Sequence, residues 1–247
     1  MGLAAIYDVH GNLPALEAVL AEIRQKGVDQ IIVGGDVVPG PIPCETLARL
    51  REVDIPVHFI RGNGEVAVLA EMGGKDPHLP DSVREVISWT AQQLSREDAQ
   101  FLSTWPLTYQ ANIDGIGKVL FCHATPQNEN DIFTRLTPEK CLPFFNDVAA
   151  DLVVCGHTHM QFDRRIAKIR VVNAGSVGMP FGEPGAHWLL LGPQVKLRQT
   201  KYDLVAAAER IRNTDYPKAD EFAERNVLHP PSEEEMLKAF AAAEPKV

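Results

Sequence analysis

At 247 residues the chain can bury one large core or one core with an extension, and with 45% hydrophobic and 23% charged residues it has an ordinary globular composition. A formal net charge of -9 argues against non-specific binding to nucleic acid or anionic lipid. No apolar run reaches the roughly 18 residues of a membrane span, so neither nucleic acid nor membrane is an expected partner.

The chain enters a strand at once, with no basic region or cleavage site before it. Its four cysteines, Cys44, Cys122, Cys141 and Cys155, include no CxxC pair, which predicts reduced thiols and a cytoplasmic setting. Leu3 to Tyr7 has the length and side chains of a buried strand, and Asp8-Val9-His10-Gly11-Asn12 follows it. A helix is predicted over Leu13 to Lys26, with Asn12 as N-cap, Pro14 in the first turn and Gly27 closing it. Gln30 to Val33 is a second strand ending in Gly34-Gly35-Asp36, then a helix from about Pro43 to Val53. Val57 to Ile60 is a third strand, ending in Arg61-Gly62-Asn63-Gly64-Glu65. This βαβαβ order predicts a largely parallel, helix-covered sheet, whose ligands collect beyond the carboxyl ends of its strands.

From Val66 to about Trp105 the pattern predicts a helical insertion, with helices over Ser82 to Leu94 and Ser95 to Thr104 and a loop from Gly73 to Pro80 that holds His78. Gly73-Gly74-Lys75 lacks the spacing of a phosphate-binding P-loop. A hairpin about Asp114-Gly115 delivers His123, and a helix capped by Thr137 is predicted from Pro138 to Val148. The strand Leu152 to Cys155 delivers Gly156-His157-Thr158-His159. Strands near Arg170 to Asn173, His187 to Leu191 and Val195 to Gln199 point to a second, more antiparallel sheet packed on the first. From Asp203 the chain is a helical extension, so the expected division is a domain over 1–202 and a tail over 203–247.

Asp8, His10, Asp36, Asn63, His123, His157 and His159 all fall at predicted strand ends. Alternate residues of an extended segment point the same way, so each D-x-H or H-x-H pair can aim at one point. Imidazoles and carboxylates converging on a point hold a transition metal. A Cys122–His123 nucleophile pair is disfavoured, because neighbours on a strand face opposite sides.

The motifs Asp8-x-His10-Gly-Asn12, Gly35-Asp36, Gly62-Asn63, His123 and Gly156-His157-x-His159, in this order, resemble the calcineurin-like metallophosphoesterase superfamily. Asn173-Ala-Gly-Ser-Val-Gly178 is similar to the Asn-Pro-Gly-Ser segment of its small single-domain bacterial and archaeal phosphodiesterase branch. The resemblance implies a four-layer α/β/β/α sandwich of two mixed sheets. It also implies two divalent ions (Mn, Fe, Zn, Ni or Co), one held by Asp8, His10 and His159, the other by Asn63, His123 and His157, with Asp36 bridging. Asp36, Asn63 and His123 would position metals, hydroxide and phosphate, while Asn12 and Arg61 could contact the phosphate.

The implied activity is hydrolysis of a phosphodiester or phosphoanhydride by in-line attack of a metal-bridging hydroxide, on a phosphorylated small molecule or nucleotide. Two divalent ions, two carboxylates and a hydroxide leave such a site at about +1, which attracts phosphate within an acidic protein. Phosphomonoesters, nucleotides and phosphoproteins are alternative substrates, and a non-catalytic metal-binding scaffold, as in the retromer subunit of this resemblance, is an alternative of another class. Many members read Gly-Asn-His-Asp/Glu where this chain reads Gly62-Asn63-Gly64-Glu65, which removes a proton donor and leaves Glu65 without the partner it would orient. The single-domain branch commonly lacks that histidine too. Oligomeric state stays open.

Overall fold

The computed structural model describes residues 2–76 and 79–245, so His78 of the insertion loop lies outside them. In chain order, β1 (Leu3–Ile6), α1 (Leu13–Lys26), β2 (Gln30–Val33), α2 (Pro43–Arg51) and β3 (Val57–Phe59) realise the βαβαβ pattern, with β1–β2 and β2–β3 parallel. α1 starts at Asn12, whose side chain accepts from Ala15 N, and stops at Gly27 in the left-handed region. Three helices follow, α3 (Asn63–Met72), α4 (Asp81–Gln93) and α5 (Arg96–Ser103). α3 takes in Asn63-Gly64-Glu65, which the two glycines mark in the sequence as loop.

The hairpin β4 (Thr108–Ile113) and β5 (Gly117–Cys122) leads to β6 (Leu152–Cys155), β7 (Phe162–Ile166) and β8 (Ile169–Asn173), which together form a five-stranded sheet in the order β4-β5-β6-β8-β7. Its β5–β6 and β6–β8 pairs are parallel, so it is mixed rather than chiefly antiparallel. β9 (Ala186–Leu191) and β10 (Val195–Thr200) extend the first sheet, in the order β10-β9-β1-β2-β3, with β9 antiparallel to β1. The reason lies in β9 itself. Five of its six residues are buried, so it needs a neighbour on each edge and cover on both faces.

Alternation along β1 divides its side chains between two cores. Leu3 and Ala5 meet Ile32, Phe121 and Val154 between the sheets, while Ala4 and Ile6 face α1 and α2 with Leu16 and Leu47. Each fully buried leucine contributes about 1.5–3 kcal/mol of transfer free energy. The outer face of the second sheet is covered through Phe133, Leu142 and Phe145. The helix predicted from Pro138 to Val148 is absent there. Pro143 lacks an N–H and drives Leu142 to φ -120, ψ 48, so the segment breaks into two 3₁₀ turns, Glu139–Cys141 and Pro143–Phe145.

The tail forms α6 (Leu204–Arg212), α7 (Ala219–Phe222), a run of π-helical turns over Ala223–Leu228 and α8 (Glu233–Phe240), the last entered through a Ser232–Glu235 capping box. Ala208, Ile211, Phe222 and Val227 share a buried cluster with Leu13, Ile42 and Val86. Among the described residues no helix is long and apolar enough to cross a membrane.

Candidate metal centre

The loops after β1, β2, β5 and β6 and the start of α3 meet at one edge of the stacked sheets. Six non-glycine residues among those described have positive φ, and five of them are Asp8 (54°), His10 (47°), Asp36 (51°), His157 (66°) and His159 (56°). An L-residue in this region costs of order 1–3 kcal/mol, so the surrounding fold forces these turns, and they aim the side chains.

Two groups result. Asp8, His10 and His159 bring ligand atoms within 4.8 Å of one another, and so do Asp36, His123 and His157. Asp36 reaches both groups: Oδ2 lies 3.7 Å from His10 Nε2 and Oδ1 lies 3.6 Å from His123 Nε2. Asn63 Oδ1 is 3.1 Å from His123 Nε2, and the His123 and His157 rings are 5.0 Å apart. All seven residues singled out by the sequence therefore stand together.

Backbone carbonyls fix the histidine tautomers. His10 Nδ1 lies 3.3 Å from Pro39 O, His123 Nδ1 2.9 Å from Gly34 O and His159 Nδ1 2.7 Å from Met179 O. A carbonyl only accepts, so each Nδ1 carries a hydrogen and Nε2 is the atom turned inward, a lone pair whenever the ring is neutral. His10 Nε2 and His159 Nε2 then face each other across 3.3 Å, two lone pairs that a proton or a cation must bridge. Asp8 is wholly buried and its Oδ1 has no hydrogen-bond donor, although it sits 3.4 Å from His159 Nε2. A buried carboxylate oxygen left this way is costly unless a cation occupies the gap. The donor set fits divalent ions: imidazole nitrogens, carboxylates and one amide oxygen, without thiolate. Cys122 and Cys155 lie in the core with their thiols pushed up by burial, which suits small hydrophobes rather than ligands.

Charge states follow the same geometry. Burial alone would raise the Asp8 carboxyl, but the imidazoles of His159 and His123 hold it well below the usual range. Burial pushes His157 down to about 4, helped by His123. Burial also lowers His10, whereas for His123 the carboxylates of Asp36 and Asp8 outweigh burial and raise it.

A further layer of residues holds the turns. Glu65 is wholly buried and accepts four backbone N–H groups: Oε1 from Val37 and Val38 at 2.8 and 3.2 Å, Oε2 from Asp36 and Gly62 at 2.8 and 2.7 Å. Far from being idle, it ties the Asp36 loop to the start of α3. Burial and the Asp36 carboxylate push its carboxyl up to about 7, against the four amides that favour the ion. Asn173 Nδ2 donates to Gly156 O at 2.6 Å, and Ser176 Oγ donates to Asp8 O at 2.7 Å. The Asn173-to-Gly178 segment thus braces the two loops that carry Asp8 and the His157–His159 pair.

Gly64 has no room for a side chain. A Cβ there would stand 2.2 Å from Val38 O and 2.9 Å from Asp36 Oδ1, and Gly64 N already donates to Asp36 Oδ1 at 2.7 Å. A histidine could not replace it on this backbone.

The two phosphate candidates diverge. Asn12 is fully buried, its Oδ1 capping α1 and its Nδ2 donating to Gly178 O at 2.9 Å, so both polar atoms are engaged within the fold. Arg61 has its side chain 42% exposed and its Nε 4.0 Å from Glu129. Away from the centre, His58 stacks on Tyr109 and His229 pairs with Glu224 at 2.8 Å. The sequence reading named Glu65 only as a residue left without its partner and missed its anchoring role. Only the position of Glu65 next to Gly62-Asn63 could have flagged it.

Comparison with known proteins agrees with this geometry. Residues 1–193 match the family model described as the calcineurin-like phosphoesterase superfamily domain. An uncharacterized protein of Methanocaldococcus jannaschii is 30% identical over 87% of this chain and 93% of its own length. Phosphodiesterase YfcE of Escherichia coli K12 is 26% identical over 77% of this chain and 87% of its own. The crystal structure of a metallophosphoesterase from Sphaerobacter thermophilus superposes with a TM-score of 0.69 at 26% identity, covering 90% of this chain and 97% of that one. With that match across more than half its length, the chain belongs to the calcineurin-like phosphoesterase superfamily.

Proposed function

We propose that the chain is a dinuclear metal-dependent phosphoesterase that hydrolyses phosphodiesters. The observation that carries this reading is the convergence of bare imidazole nitrogens on an orphaned carboxylate oxygen, Asp8 Oδ1, in a polar pit at the sheet edge. Asp8, His10 and His159 would hold one ion, Asn63, His123 and His157 the other, and Asp36 would serve both. Bound there, divalent ions supply Lewis acidity to the phosphoryl oxygens and make water acidic enough to act at neutral pH. Asp36 and Asp8 bring the negative charge that keeps the pit from repelling cations, and Glu65 fixes where Asp36 points. Arg61, two residues before Asn63 in the chain, would offer a cation to the incoming phosphate. Kinship to phosphodiesterase YfcE supports diesters over monoesters.

The test compares hydrolysis of p-nitrophenyl monoesters and diesters by metal-free, Mn-, Ni- and Zn-loaded protein, beside His123→Ala. Turnover that requires both metal and His123, faster on diesters, is the expected result. Stoichiometric metal binding with no turnover on either ester would replace the enzyme reading with that of a scaffold.

A further inference from the structure

Two clefts leave the centre and diverge. One, of about 320 Å³, starts at His10, Asp36 and Asn63 and runs between α3 and α4, walled by Val66, Ala70, Leu79, Val83 and Ile87. The other, of about 250 Å³, starts at His10, passes Val86 and Met179, and ends on the tail. There Tyr216 and Phe222 form an aromatic wall, and Lys218, Glu221 and Asn226 form a polar end. His10, Pro39 and Val83 belong to both clefts, so Pro39 and Val83 form the wedge where they part.

The walls differ in chemistry. Of the five large apolar side chains counted as exposed among the described residues, Val66 and Val83 both lie in the α3–α4 cleft, at 37% and 40% exposure. Beyond Asp36 and the polar side chains of His10, Asn63 and Asn130 that cleft is lined by apolar groups, so an ionic group set against them would lose solvation without a charged partner. In the tail cleft Lys218 Nζ lies 3.8 Å from Glu221, and Asn226 adds an amide from the π-helical turns. Donors and acceptors beside aromatic walls match a ring that carries hydroxyl groups. The family match stops at residue 193, so Lys218, Glu221 and Asn226 lie in the tail, outside the matched domain.

A monoester has one substituent to place, a diester two. We infer that the centre receives an unsymmetrical phosphodiester, with a compact apolar alcohol in the α3–α4 cleft and a hydroxyl-bearing, nucleoside-like ring in the cleft closed by the tail, where Lys218 and Asn226 hold it. This inference rests on the phosphodiesterase reading and assigns specificity to the tail.

The test uses Mn-loaded full-length protein with two probes, the p-nitrophenyl ester of thymidine 5'-phosphate and bis(p-nitrophenyl) phosphate. Lys218→Ala should lower kcat/KM for the thymidine ester about tenfold, mostly through KM, and leave the bis-aryl ester within about twofold. Lys218→Arg should restore most of the loss. Ala70→Phe, which fills the apolar cleft, should lower both, with metal content unchanged. Equal effects of Lys218→Ala on the two probes, or none on either, would overturn the inference while leaving the phosphodiesterase reading intact. Should neither probe be hydrolysed, the activity reading fails, and calorimetric binding of the thymidine ester decides the cleft on its own. Binding weakened about tenfold by Lys218→Ala upholds it, and no binding, or binding indifferent to Lys218, removes it.

Discussion

Replacing Glu65 by glutamine is the sharpest test of how the site is held. The carboxylate accepts four backbone amides with its two oxygens, two each. A glutamine keeps one oxygen and turns an NH₂ on the other pair, so in either orientation two buried N–H groups lose their acceptor and face a donor. At about 1–3 kcal/mol for each orphaned group, the folded state should lose about 2–6 kcal/mol. The affected amides are those of Val37 and Val38 or of Asp36 and Gly62, so the backbone under Asp36 should shift as well. Urea titration of metal-free protein at pH 8, where a carboxyl pushed up to about 7 is ionised, gives the stability change. Mn titration by calorimetry gives the change in affinity, expected at tenfold or more. The surface substitution Glu52→Gln should stay within about 0.5 kcal/mol of wild type. A Glu65→Gln protein as stable as wild type, with unchanged Mn affinity, would refute the reasoning, because it would mean that Glu65 is carried protonated and does not anchor the loop.

Four other outcomes are expected. The Asp36 and Asp8 carboxylates raise His123, so metal must displace more proton there than from an ordinary imidazole; calorimetry at pH 7 in buffers of different ionisation enthalpy should show proton release that is smaller in His123→Gln. By the same sign, the stability His123 lends the metal-free fold is present below the ordinary histidine value and lost as pH rises through the raised one. Burial pushes His187 down to about 4, and its Nδ1 has no partner, so it stabilises the fold above the ordinary value near 6.5 and loses that contribution as pH falls toward 4. The full span is about 3 kcal/mol, and the difference in urea midpoint between wild type and His187→Gln should shrink accordingly between pH 7 and 4.5. Gly64→Ala should cost about 1–3 kcal/mol by urea titration, since its Cβ meets Val38 O, and a neutral effect would mean the turn relaxes freely. Because Gly64 brings no proton to the leaving group, rates on aryl diesters should rise steeply as the leaving group becomes more acidic, and a flat dependence would reveal a general acid elsewhere.

The sequence carried the centre because most of the ligands follow strands whose burial leaves them no freedom. Asp8 and His10 after β1, and His157 and His159 after β6, are polar pairs placed where an apolar run must end. The supports were harder to read. Glu65 sits three residues beyond Gly62 yet grips amides 27 to 29 residues away, a relation that no local pattern encodes. The membership of β9 in the first sheet follows from burial on both faces, whereas its spacing along the chain pointed to the second. Pro143 breaks the segment predicted as a helix from its Thr137 cap, since a ring without an N–H stops what the cap begins. Asn12 was legible as the cap of α1, but the second bond, which its amide makes to Gly178 166 residues away, was not.

The five left-handed turns connect these supports to function. At of order 1–3 kcal/mol each, their strain is comparable with the whole margin of a domain's stability, and no single anchor could sustain it. Glu65 holds the turn at Asp36, Ser176 the carbonyl of Asp8, and Asn173 the Gly156 carbonyl ahead of His157. With these fixed, the orphaned Asp8 Oδ1 and the opposed Nε2 atoms of His10 and His159 form before any ion arrives. A cation that occupies them relieves repulsion already present in the folded chain, so its binding free energy adds directly to folding stability, by RT ln(1 + [L]/Kd). Loosening an anchor should therefore weaken metal binding as well as the metal-free fold, and that double loss separates a preorganised centre from one that the ion itself assembles.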